Sequence, residues 1–332
     1  QVLTRNRDWF DPTPYALEAD QWLTKGRESV FYVSRDIWIR ILKMVVAFDG
    51  DVIYFNGFYS PKFNALPLIY FLATGTNKQL IVAPRGMLNS NAIALKSFQK
   101  KRLISMYKLL GIQRKVLFHA TDDKELQAIK SVYPSANICT LSNVPPIVDA
   151  GSKNLDDDLI FISVGRLSKV KNTLGLIEIF RSVLSNKVFF IGSADNKSYE
   201  RACLDLTTSS KHIIIKGAMP PSGVKELYNQ RSIFVSMTTG ENFGHAIIEA
   251  MAAGCPVIIS DQTPWNDLED FGAGWVIPLD QPERWQQQLK ACSEMSADEY
   301  HKFSDRAKQY VREKFDFDEI RKQYLNLFRA EY

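Results

Sequence analysis

A chain of 332 residues exceeds one ordinary hydrophobic core and suits two domains of roughly 150 residues each. Its 45% hydrophobic and 23% charged residues, with 17 glycines and 14 prolines, are those of a folded globular protein and exclude collagen-like, low-complexity and disordered readings. A net charge of +4, from 41 basic and 37 acidic residues, is too mild for a chain that works by holding nucleic acid.

Taken in chain order, the first half alternates short β-rich runs, SVFYV (Ser29 to Val33), DVIYF (Asp51 to Phe55), QLIVA (Gln79 to Ala83) and VLFHA from Val116, with helix-sized intervals. Pro61 to Gly75 and Asn91 to Leu110 carry apolar residues three and four apart, as helices packed on a sheet do, so a parallel sheet is expected. The rhythm breaks at NVPPIVDAGSKNLDDD, Asn143 to Asp158, which marks a domain junction. It then restarts with LIFISV (Leu159 to Val164), VFFIG (Val188 to Gly192), HIIIKG (His212 to Gly217), IFVSM (Ile233 to Met237), PVIIS (Pro256 to Ser260) and GWVIP (Gly274 to Pro278). These runs are nearly all apolar and should be buried on both faces. Two amphipathic helices with a break near Phe315 to Phe317 close the chain.

The expected architecture is therefore α/β, two tandem Rossmann-like domains facing a cleft: 1–150, 151–315, and a C-terminal helix over 316–332 that packs back on the first domain. No apolar run reaches the roughly 20 residues needed to cross a bilayer, and QVLTRNRDWF lacks a secretory signal's apolar stretch, so a cytoplasmic protein is expected. Four scattered cysteines and four scattered histidines show no metal-ligand spacing, so neither a disulfide framework nor a protein-bound metal is expected.

The fingerprints G-x-G-x-x-G, G-x-x-x-x-G-K-[ST] and G-x-S-x-G are absent, which sets aside dinucleotide, P-loop and α/β-hydrolase chemistry. The most specialised stretch is MTTGENFGHAIIEAMAAGCPVIIS, from Met237, where a strand runs through a turn flanked by Gly240 and Gly244 into a helix. With a helix start near Phe243, the amides of Asn242, Phe243 and Gly244 become unpaired donors suited to a phosphate. Glu241 precedes the helix, where a carboxylate also serves as a helix-dipole partner. Glu249 lies two turns in, on an otherwise small and apolar helix, so it must face a cleft or be paired. Upstream, LIFISVGRLSKVKN puts Gly165 at a strand end with Arg166 and Lys171 in the next loop, where cations can neutralise a departing diphosphate.

GRLSKVKN paired with ENFGHAIIEAMAAG resembles the second domain of retaining GT-B glycosyltransferases of the family 4 type. VAPRGMLNSNAIALKSFQKK, LFHATDDKE, LSNVPPI and SDQTPWNDL resemble blocks of bacterial members that build surface polysaccharides. The resemblance spans nearly the whole chain. It implies that Glu241 meets the donor sugar's hydroxyls and that Asn242, Phe243 and Gly244 offer amides to sugar or phosphate. It further implies that Glu249 holds the ribose diol, that Arg166 and Lys171 bind the diphosphate, and that Gly217 and Ala218 lie near the base. The implied reaction is metal-independent transfer of a sugar from a UDP- or GDP-sugar to a glycan or lipid-linked acceptor, with retention. No cofactor beyond the donor is implied. Where many relatives place a histidine, this chain has Arg85, which is expected to bind acceptor or phosphate or to cap the loop. Relatives usually open with an earlier strand and Gly-rich turn, so the first βα unit is expected to be missing ahead of QVLTRN. A sugar-nucleotide epimerase, a phosphorylase and a non-catalytic binding module are the competing functions.

Two further features stand beside that site. The stretch Asn91 to Lys115 holds seven cations and no acid, interleaved with apolar residues, and suits an anionic membrane at the inner face of the plasma membrane as well as an ordinary solvated face. Trp265 in QTPW is either a wall of the sugar pocket or packing.

Overall fold

The computed structural model of the chain describes residues 1–7, 13–35, 37–89, 93, 97–143, 158–183 and 185–329. They form two compact units, Gln1–Ser142 with Ile320–Tyr332, and Asn143–Glu319. Most of the expected junction, residues 144–157, lies outside the described residues.

In the first unit, strands β1 (Val2–Arg5), β2 (Trp22–Lys25) and β3 (Glu28–Val33) make a small sheet of order β1-β3-β2. The run at Ser29 to Val33 thus lies outside the parallel sheet in which its spacing had set it. A two-residue link, Gly26 and Arg27, folds β2 back antiparallel on β3, pairing Lys25 with Glu28. The parallel sheet itself is β4 (Val52–Asn56), β5 (Gln79–Ala83), β6 (Leu117–Ala120) and β7 (Asn137–Thr140), in that order. Alternate residues serve its two faces. Leu80, Val82 and Phe118 join the core under Leu68, Phe71 and Tyr107, while Ile81, Cys139 and Leu141 face Leu327 and Tyr324 of the C-terminal helix Phe317–Phe328. A parallel sheet needs both faces covered, and that last helix supplies the second cover.

The second unit is a six-stranded parallel sheet of order β10-β9-β8-β11-β12-β13, formed by β8 (Ile160–Val164), β9 (Val188–Ile191), β10 (Ile213–Gly217), β11 (Ser232–Ser236), β12 (Val257–Ser260) and β13 (Gly274–Ile277). Every residue of β11 and β12 is buried, as their apolar sequences require. Phe161, Phe180, Phe190, Val235, Ile258 and Trp285 fill the core between sheet and helices. Numbered from its own start, this sheet runs three-two-one-four-five-six, so consecutive connections diverge between β8 and β11. At that point the loops leaving the carboxyl ends open away from each other and leave a crevice for a ligand. Helix Ala297–Lys314 begins at a capping box between Ser296 and Glu299 and ends before Phe315.

Candidate active site

The loop after β8 is built to hold a lysine over the strand end. Ser168 Oγ accepts from the Lys171 amide, Thr173 Oγ1 accepts from the Ser168 amide, and Asn172 takes a left-handed φ of 49° to close the turn. Gly165 ends the strand at a φ of 151°, a conformation that favours glycine, and the Lys171 stem lies in van der Waals reach of it. Lys171 Nζ then reaches the loop after β11 and pairs directly with Glu241 Oε2. Arg166, mostly exposed, is aimed by Asp195 in the loop after β9, at 2.8 Å. Both cations that the sequence singled out therefore stand at the crevice, each with a carboxylate partner. Asp195 carried no sequence signal, because its role depends on two loops meeting.

The loop after β11 is tied down on two sides. Thr239 N and Thr238 Oγ1 donate to Val170 O (2.7 and 3.1 Å), Ser260 Oγ donates to Thr238 O (2.6 Å), and Glu241 N donates to Gln262 O (3.0 Å). These bonds fix Glu241 between the β8 and β12 loops without using its side chain.

The helix starts at His245, two residues later than the spacing suggested, with Gly244 as its N-cap at φ 78°, ψ 55°. Gly244 is left-handed, so the helix cannot extend back through it, and Asn242 and Phe243 form a bend ahead of it. A side chain at Gly244 would also crowd Ile247 Cδ1 at 2.9 Å and Glu241 Cγ at 3.1 Å. The helix's leading amides accordingly come from Gly244, His245 and Ala246; those of Asn242 and Phe243 belong to the turn before it.

Glu249 sits in the middle of helix His245–Ala252, half-buried beside the buried Ile248 and Ala250, and its carboxylate has no hydrogen-bond or ion-pair partner among the described residues. Burial pushes its pKa above the ordinary glutamate value. An unpaired half-buried carboxylate is costly to keep charged, so a donor reaching it would be favoured. Gly217 closes β10, and Ala218 follows it, exposed at the same carboxyl edge. Between them and the crevice lies Gly192, whose sequence position marks it only as a strand end. Its amide donates to Gly217 O at 2.8 Å, and a Cβ there would stand 2.1 Å from Gly165 O. Only glycine lets these strand ends lie so close.

In the first unit Arg85 follows β5 at the sheet's carboxyl edge with a left-handed φ of 55°. Its Nε donates to Asn56 Oδ1 and its Nη2 to Tyr54 OH, both at 2.9 Å. The buried His119 continues the chain. Its Nε2–H donates to Leu141 O at 2.9 Å, so its bare Nδ1 accepts from the Tyr54 hydroxyl at 2.7 Å. Burial lowers the His119 pKa and keeps the ring neutral. The next residue after Arg85, Gly86, donates its amide to the buried Glu125 carboxylate (2.7 Å), which also accepts from Thr121 N and Oγ1. Tyr54 carried no sequence signal, and His119 and Glu125 lay within the LFHATDDKE block without a role of their own; the folded sheet supplies their partners.

Trp265 is 8% exposed. Its ring lies against Phe243 and Phe315, so it packs behind the turn and does not wall a sugar pocket.

Residues 148–310 match the family described as glycosyl transferases group 1. An uncharacterized glycosyltransferase of Methanocaldococcus jannaschii is 26% identical over 242 residues, 71% of this chain and 61% of that protein. The capsular polysaccharide biosynthesis glycosyltransferase CapM of Staphylococcus aureus is 34% identical over 117 residues, 33% of this chain and 30% of its own length. The chain thus spans less than two thirds of these relatives. The crystal structure of HepE from Anabaena with UDP and glucose superposes with a TM-score of 0.67 over 91% of this chain and 85% of HepE, at 14% identity, a likeness of fold. The chain has the GT-B fold, and its residues 148–310 match the family of glycosyl transferases group 1.

Proposed function

We propose that the protein transfers a sugar from a nucleotide diphosphate sugar to a glycan or lipid-linked acceptor, with retention at the anomeric carbon and without a protein-bound metal, in the synthesis of a surface polysaccharide. One observation carries this reading. Lys171 and Glu241 meet where the β8 and β11 loops diverge, with Arg166 beside them.

In this reading the diphosphate lies against Arg166, Lys171 and the amides around Gly244, and Glu241 turns its free oxygen to the sugar's hydroxyls. Glu249 takes the ribose diol, and Gly165, Gly217 and Ala218 line the way to the base. Three strand spacings from β11 to β10, about 14 Å, give room to lay out a nucleoside diphosphate and its sugar. The anomeric carbon–oxygen bond to phosphate breaks as the acceptor oxygen bonds on the same face, and the leaving phosphate oxygen takes the acceptor's proton. The two cations stabilise the charge that grows on that phosphate. Glu241, already paired with Lys171, is a poor nucleophile, which favours this route over a covalent sugar intermediate.

The test is a panel of UDP-, GDP- and ADP-sugars offered to the full chain, with the product's anomeric configuration read by NMR. Transfer or slow hydrolysis of one donor with unchanged configuration is expected. An inverted product removes the retaining mechanism. Free epimerised donor, or dependence on phosphate, replaces transfer by an epimerase or phosphorylase, and failure to bind any nucleoside diphosphate leaves a binding module.

The acceptor side of this reading lies in the first unit, with Arg85 held ready for acceptor by Asn56 and Tyr54. Helix Ser97–Leu109 buries Ile104 and Tyr107 and turns out Lys101, Arg102 and Lys108 together with Phe98 (71% exposed) and Leu109 (87%). Large apolar side chains set among cations suit the headgroup layer of an anionic membrane. Residues 91, 92 and 94–96 of the basic stretch lie outside the described residues, and no helix among the described residues is long and apolar enough to cross a membrane. Reversing charge at Lys100, Lys101 and Arg102 together should strip the protein from vesicles containing anionic lipid, each cation contributing about 1 kcal/mol near such a surface. Unchanged flotation with vesicles would remove the membrane contact.

A further inference from the structure

We propose that Trp265 is a positioning residue that locks the peptide plane between Phe243 and Gly244, and so fixes the Gly244 amide as an anion donor. The proposal rests on reading residues 241–244 as part of the donor's cradle, and extends it to a residue outside the motif.

The loop after β12 holds both ends of the turn. Gln262 O accepts from Glu241 N at 3.0 Å, and Trp265 Nε1–H donates to Phe243 O at 2.6 Å. Trp265 is itself fixed, its amide donating to Thr263 Oγ1 (3.3 Å) and its ring packed edge-on against Phe243 (centroids 5.4 Å apart) and Phe315 (5.9 Å). The Trp265 ring is buried, so the donor it offers that carbonyl is itself held in place.

A lock is needed here because the turn ends in a left-handed glycine. A peptide preceding a positive-φ glycine flips with little resistance, as the interchange of type I and type II turns illustrates, since glycine accepts either geometry. In a planar trans peptide the N–H points opposite to the C=O. While the indole holds the Phe243 carbonyl, the Gly244 N–H is directed away from Trp265. A flip would turn a carbonyl oxygen to the side where the anion binds, replacing attraction by repulsion. On the helix side, Gly244 O is already engaged by Ile247 N and Ile248 N, so the peptide ahead of Gly244 is the free joint.

Trp265→Phe keeps a ring between Phe243 and Phe315 and removes the N–H donor together with a small part of the ring volume. Phe315→Leu does the reverse, thinning the packing while leaving the hydrogen bond. We expect W265F to melt within about 3 °C of the parent yet bind its nucleoside diphosphate, chosen from UDP, GDP and ADP by calorimetry, about tenfold more weakly. F315L should melt lower and bind within about twofold of the parent. Equal binding by W265F and the parent, with Lys171→Ala weakened, overturns the lock and spares the site. A parent that binds none of the three nucleotides removes both. Should W265F fail to fold, the Trp265 indole proton of the parent decides by NMR. Slow exchange with solvent supports the lock, and exchange at the rate of an exposed indole overturns it.

Discussion

Lys171→Ala should lower kcat/KM for the donor sugar by about 10²- to 10³-fold, the range for removing one preorganised charge from a developing anion. Two losses combine. The phosphate forfeits its cation, and Glu241, fixed by its backbone bond to Gln262 O, remains beside it without a partner. A double substitution separates them. If unpaired Glu241 repels the diphosphate, adding Glu241→Gln to the K171A variant should recover part of the lost UDP or GDP affinity while turnover stays low. If the lysine acts only as a cation, the second change recovers nothing. Lys171→Arg should fall between, because the guanidinium keeps the charge but spreads it over a planar fork in place of the compact ammonium that meets Glu241. Turnover within threefold of the parent for K171A would discard the role given to this loop.

How much of this was legible beforehand varies with the kind of contact. The apolar runs at β8 to β13 announced a sheet buried on both faces, and Gly165, Arg166, Lys171 and Glu241 could be placed at strand ends because strand ends follow from runs. What failed was local. The strand at Glu28–Val33 was assigned to the wrong sheet, since a six-residue run carries no mark of its partner and the deciding feature was the two-residue link to Trp22–Lys25. Strand Asn137–Thr140 is too short and polar to announce itself. The helix start slipped by two residues because Gly244 serves as a left-handed cap, a backbone conformation open to glycine that apolar spacing does not register. Asp195, Gly192, Tyr54 and His119 were invisible for a deeper reason. Each matters only through a residue 27 to 65 positions away, as Asp195 does to Arg166, Gly192 to Gly165 and Tyr54 to His119.

Glu249 tests the donor reading through stability as well as binding. Glu249→Gln should weaken nucleotide binding by about tenfold or more, since a ribose diol loses bonds to a charged acceptor, each worth about 1.5–3 kcal/mol. The same change should raise the melting temperature at neutral pH. Burial raises the folded-state pKa above the ordinary 4.5, so the folded protein holds this proton more tightly than the unfolded chain. The parent should therefore lose stability as pH rises from the ordinary value through the raised one, and bear the full penalty above it. E249Q should lack that decline. Binding has the opposite sign. A diol donating to the carboxylate favours its ionised form, so parent affinity should strengthen over the same pH window while E249Q stays flat. Opposed slopes for stability and affinity are expected only if the half-buried carboxylate is kept for a ligand's hydroxyls. A purely structural glutamate would give E249Q a lower melting temperature and leave nucleotide affinity untouched.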